Sequence, residues 1–140
     1  MVASAIRGTA TGLEEVLQGA DVISIHMPST PQTNNTINAT TLKLMKPGAI
    51  IVNVGRGEVI NEADLIEALR SKAISGAALD VRAQEPPIKG EMEQIANLIL
   101  TPHVAGITKE SQLRINEILV SNIMKVLNNE VATHAVGAIK

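Results

Sequence analysis

Four short apolar runs, separated by stretches of helical spacing, constrain this 140-residue chain more than any other feature. They are ADVISIH (residues 20–26), AIIVNV (49–54), GAALDV (76–81) and NLILTP (97–102). Their length and apolar character make them strands, and ADVISIH is also rich in β-branched residues. Their apolar residues run nearly without interruption. That pattern predicts a parallel sheet covered on both faces, with helices as the crossovers.

The intervening segments carry helix signals. Thr11-Gly-Leu-Glu14 has capping-box spacing and opens a short helix that stops near Gly19. NATTLKLMKPG (38–48) reads as a helix capped by Asn38 and ended by Pro47-Gly48. NEADLIEALRSKAI (61–74) is the clearest helix. Asn61 is its cap, Glu62 and Asp64 sit in the positive first turn, and Arg70 and Lys72 lie near the negative end. Leu65, Ile66 and Leu69 form its expected buried stripe. A last helix is expected over residues 108–129, with Ile115, Leu119, Ile123 and Val126 or Leu127 repeating at helical spacing. The length fits one domain, residues 1–140.

Composition removes several function classes. The formal net charge is −2, so broad binding to nucleic acid is not expected. Aromatic residues are absent, which excludes stacking platforms for bases and leaves an aliphatic core. With no cysteine there is no disulfide, thiolate metal site or thiol nucleophile, and the spacing of the three histidines fits no metal motif. No apolar run is long enough to span a membrane, and the first residues lack a signal-peptide pattern, so the expected location is the cytoplasm.

In open α/β sheets, ligands bind beyond the carboxyl ends of the strands. That rule gathers Gly55-Arg56-Gly57, the stretch up to Glu85, and His103 at one edge. A guanidinium suits a carboxylate bidentately. An imidazole passes a proton near neutral pH, and a carboxylate beside it fixes its tautomer and favours its charged form. Together these groups suit a small 2-oxo or 2-hydroxy acid. Each also has a plainer reading: Arg56 as a surface turn residue, Glu85 as a solvated loop charge, His103 as a structural histidine, Asp80 as an ordinary strand-end acid. VNVGRG is not a phosphate loop, because it lacks the Gly-Lys-Ser/Thr of a triphosphate site. His26 reads as structural, and His134 as solvated.

The stretches ADVISIHMPSTPQT, LMKPGAIIVNVGRGEVINEADLIEALRSKAISGAALDV, EPP and TPHVAGIT occur in this order. In them the chain resembles the D-isomer-specific 2-hydroxyacid dehydrogenases over roughly residues 13–130. The resemblance implies a partial Rossmann-like dinucleotide-binding domain that uses NAD or NADP. It implies that Arg56 holds the substrate carboxylate, His103 is the acid–base group and Glu85 is its partner. It implies that Met27, Val54, Gly55, Arg56, Asp80, His103, Val104, Ala105 and Gly106 line the nicotinamide end of the cofactor, and that the glycines beside Arg56 let backbone approach cofactor and substrate.

Two departures from the family pattern stand out. The glycine-rich turn Gly-x-Gly-x-x-Gly and the acidic residue that holds the adenosine ribose are absent, as though the chain begins after them. Arg82 stands where the family usually has an aromatic; its charge either points to solvent or alters the packing around Glu85. A missing first half leaves the edge of the ADVISIH strand open, so a homo-oligomer or a complementary half is the expected partner there.

Overall fold

A computed structural model describes residues 9–133, which divide into two compact units between His103 and Val104. His134 lies outside the described residues. The first unit contains α1 (Leu13–Gly19), β1 (Val22–Ile25), α2 (Ala39–Leu42), β2 (Ile50–Asn53), α3 (Glu62–Arg70), β3 (Gly76–Leu79) and β4 (Leu98–Leu100). The second contains α4 (Lys109–Leu127).

The four strands form one parallel sheet in chain order, β1-β2-β3-β4. Ile23, Ile25, Ile51, Ala77 and Leu79 are buried in a continuous aliphatic core with Leu17, Leu42, Leu65, Leu69 and Ile74. The strand residues between them are another matter. Val22 is 60% exposed, Ile50 41% and Ile99 66%. Within the first unit, therefore, one face of the sheet is packed by α1, α2 and α3, and the other is more exposed.

Local signals explain the helix ends. At α2, Asn38 Oδ1 accepts from the Thr40 and Thr41 amides, and Thr41 Oγ1 takes the Asn38 amide in return. This helix ends at Leu42, well before Pro47-Gly48. At α3, Asn61 Oδ1 accepts from the Asp64 amide at 3.2 Å. Asp64 in turn accepts the Ala39 amide at 2.8 Å, tying α3 to the start of α2. The buried stripe of α3 is Leu65, Ala68 and Leu69, with Ile66 half-buried.

At α1 the expected capping box does not form. Gly12 is the N-cap and has no side chain to offer, while Thr11 hydrogen-bonds Glu15. In the second unit Thr108 caps α4 in a reciprocal box with Ser111. No residue of α4 is buried. Among the described residues no helix is long and apolar enough to cross a membrane.

Candidate active site

The carboxyl ends of β1, β2 and β3 are joined by backbone contacts that dictate where small residues must stand. Asn53, the last residue of β2, is fully buried. Its Oδ1 accepts the Gly55 amide at 3.0 Å, and its Nδ2 donates to the Arg56 carbonyl at 2.9 Å. One side chain thus closes the Gly-Arg-Gly turn from below. A Cβ on Gly55 would stand 2.7 Å from the Met27 carbonyl oxygen. A Cβ on Gly57 would stand 1.9 Å from the Arg82 carbonyl carbon and 2.3 Å from the Ala83 nitrogen. The glycines flanking Arg56 have a reason within the protein itself: the loops after β1 and β3 pack directly on them. Beyond the turn, the Ile37 amide bonds the Val59 carbonyl and the Asn61 amide returns to Ile37, pinning the segment after Arg56 to the one after β1.

Arg56 is exposed, and its Nη1 donates to the Gly55 carbonyl at 2.8 Å. Among the described residues it forms no salt bridge. Asp80, just past β3, is buried. It takes a short hydrogen bond of 2.5 Å from Thr101, and its backbone carbonyl accepts the His103 amide at 2.8 Å. That backbone bond sets His103 at the end of the β4 segment with φ 55°, a left-handed conformation unusual outside glycine.

The His103 ring then reaches Glu85, with Nδ1 2.8 Å from Oε2. The other carboxylate oxygen of Glu85 accepts the Arg82 amide at 3.0 Å. These contacts hold the Glu85 carboxyl below the usual carboxylate range, first through the hydrogen bond from His103, then through the Arg82 amide, with a smaller pull from the charge of Arg56.

Arg56, Glu85 and His103 line one cavity of about 520 Å³, together with Gly57 and Glu58. A second cavity of about 440 Å³ shares Glu85 and His103 with it and is also walled by Asp80, Pro86, Pro87 and Thr101. A larger cavity of about 590 Å³ sits at the amino-terminal edge of the sheet between Pro47, Lys72, Ile74 and Asn97, away from this constellation. Met27, Val54 and Gly55 lie at the same carboxyl edge as Arg56. Val104, Ala105 and Gly106 open the second unit, in a turn where the Ile107 amide bonds the Val104 carbonyl and Ser111 Oγ donates to the Gly106 carbonyl.

Arg82 resolves the alternative that the sequence leaves open. Its side chain is 12% exposed, so it does not point to solvent. Its Nε lies 3.0 Å from Glu62 Oε1 and its Nη1 3.2 Å from Glu93 Oε1. Sequence reasoning missed Asn53 and Glu62 as site-building residues. Asn53 left a usable signal, a lone polar residue at the end of an apolar run just before a turn. Glu62 left none beyond its place in the first turn of α3.

A parallel α/β sheet with its polar side chains gathered past the strand ends defines a dinucleotide-binding type of domain. The sequence model described as "D-isomer specific 2-hydroxyacid dehydrogenase, NAD binding domain" matches residues 2–105, and the chain belongs to that family. It is 42% identical to D-3-phosphoglycerate dehydrogenase of Synechocystis over 92% of this chain and 23% of that protein. It is 46% identical to glycerate dehydrogenase of Methylorubrum extorquens over 79% of this chain and 36% of that protein. The structure of Lactobacillus jensenii D-lactate dehydrogenase with NAD+ superposes with a TM-score of 0.83 at 33% identity, covering 91% of this chain and 43% of that one. A Xanthobacter autotrophicus family member in complex with NADPH and MES superposes with a TM-score of 0.75 at 35% identity, covering 89% of this chain and 51% of that one. The chain therefore spans about a quarter to a third of the length of these curated relatives. The expectation of NAD or NADP agrees with the matched domain.

Proposed function

We propose that this chain supplies the nicotinamide-side, acid–base portion of an NAD(P)-dependent D-2-hydroxyacid dehydrogenase that interconverts a 2-hydroxy acid and a 2-oxo acid. The observation that carries this reading is the meeting of Arg56, Glu85 and His103 on one cavity, with His103 Nδ1 on Glu85. The residues at the strand ends fit a nicotinamide cofactor: a buried carboxylate in Asp80, the close-packed Gly55 backbone, and an open cavity beside them. The pyrophosphate-binding glycine turn has no counterpart in the sequence. When bound, the cofactor would supply or accept the hydride at the substrate C2.

Everything else falls to the chain's own side chains. Glu85 occupies His103 Nδ1 and leaves Nε2 as the nitrogen that exchanges a proton with the substrate oxygen. Arg56 has no carboxylate partner among the described residues, and its fork is the cation available to the substrate acid. In the reductive direction His103 gives its proton to the oxygen that becomes the hydroxyl. Arg56 holds the acid and stabilises charge on the reacting carbonyl.

The test is twofold. Calorimetry with NAD and NADP measures cofactor binding by the chain alone and after addition of an N-terminal half from a relative. Oxidation of NADH with glyoxylate or hydroxypyruvate is then followed in both samples. The expected result is weak binding and little turnover alone, and turnover lost in Arg56→Ala once a complementary half is present. Full turnover by Arg56→Ala in the complemented sample would overturn the reading.

A second reading concerns partners. The exposed sheet residues and α4, none of whose residues is buried and whose Leu119, Ile123 and Leu127 are each at least half exposed, support association through apolar surface. The proposed partner is a second copy or a complementary half along the β1 edge. Light scattering after size exclusion that shows a monomer at every concentration up to the millimolar range would sink it.

A further inference from the structure

Glu85 sits on an exposed loop, with Ala83 and Gln84 exposed beside it, yet its carboxylate meets His103 at hydrogen-bond distance. Something must hold that loop, and the anchoring is concentrated in its first two residues. Arg82 Nε and Nη2 reach the two oxygens of Glu62 at 3.0 and 3.4 Å. Glu62 Oε1 also accepts the Ala83 amide at 2.9 Å. The Arg82 amide donates to Glu85 Oε1. The Arg82 carbonyl carbon, finally, is the atom against which Gly57 packs, one residue after Arg56.

We infer that Arg82 and Glu62 form a positioning pair that locks the loop after β3 to the start of α3, so that Glu85 presents Oε2 to His103 while the Arg56 turn rests on the same backbone. This rests on the proposed reading of Glu85 and His103 as the acid–base pair. The opposite assignment, Arg82 as a second cation for the substrate acid, is disfavoured by its surroundings. Glu62 and Glu93 already neutralise it, and a carboxylate ligand would have to displace one of them. Burial works against the charge of Arg82, but the hydrogen bonds and attraction of Glu62, and then of Glu93, outweigh it and raise its pKa. Glu93 is separately held by the Gly90 amide at 2.7 Å, so the clamp has a fixed second jaw.

The test uses the full chain with 13C-labelled glutamate and follows the Glu85 carboxyl through a pH titration by NMR, with Glu85→Gln to assign the signal. In Arg82→Met and in Glu62→Gln the Glu85 midpoint is expected to rise toward the ordinary carboxylate value. The Arg82 and Ala83 amides are expected to exchange with solvent about tenfold faster while the Ile51 amide exchanges as before. Arg82→Lys keeps a cation between the two carboxylates and should recover part of both effects. A Glu85 midpoint unchanged in folded Arg82→Met overturns the inference. Should that variant fail to fold, Glu62→Gln decides by the same criterion, because it removes the charge and one of the two oxygens that receive Arg82 at nearly constant volume. His103→Gln separates the two claims. If it leaves the Glu85 midpoint unmoved, the acid–base pair itself is wrong. If it raises the midpoint while the Arg82 and Glu62 variants do not, only the positioning role fails.

Discussion

The loop after β2 and the loop after β3 each carry an arginine at the same edge of the sheet, and the two are built in opposite ways. Arg56 stands on a turn whose backbone is fixed by buried Asn53 and by close-packed glycines, while its own guanidinium, among the described residues, holds only the carbonyl of its neighbour. Arg82 is the reverse: its guanidinium is enclosed by Glu62 and Glu93, and the loop that follows it is exposed. In one loop the backbone is rigid so that the side chain can stay available. In the other the side chain is consumed to make the backbone rigid. Two residues of one type therefore have different uses, and what separates them is the number of carboxylates within reach.

The largest effect that would test this contrast is expected from Gly57→Ala. Its added methyl has no room beside the Arg82 carbonyl, so both loops must shift, with an expected loss of about 3 kcal/mol by urea unfolding. Asn53→Ala should follow, at about 2 kcal/mol, because it leaves the Gly55 amide and the Arg56 carbonyl without their partner. Arg82→Met is expected to lose about 1 kcal/mol, since its carboxylate partners are partly solvated and share the charge. Arg56→Ala should change stability by less than about 0.5 kcal/mol. A stability loss in Arg56→Ala equal to that in Arg82→Met would erase the distinction. The smallest effect is one of pH. Glu85 has its folded-state pKa depressed, so its contribution is present above its unfolded value of about 4.3 and is lost as pH falls through the folded value. Urea midpoints at neutral and acidic pH should show a small acid-side loss that is reduced in Glu85→Gln.

Much of the fold was legible because it depends on local pattern. The four apolar runs became the four strands, Asn38 and Asn61 became helix caps, and the last helix starts after Thr108 as expected. The misses have physical causes. Thr11 lies one residue too early to cap α1, and spacing alone cannot distinguish Gly12 as the cap. At the edge itself, the strand-end rule brought Arg56, Glu85 and His103 together from sequence. The environment of Arg82 could not be read, because Glu62 is twenty residues away and meets it only through the packing of α3 on the sheet.

The order of the strands has one more consequence. Each of the four pairs only with its neighbours in sequence, so the direction of winding never reverses among them. In doubly wound sheets the ligand crevice opens where that direction does reverse, between two crossovers that diverge to opposite sides. No such reversal occurs among these four strands, so the Arg56, Glu85 and His103 cluster lies past the ends of strands that all wind in one direction.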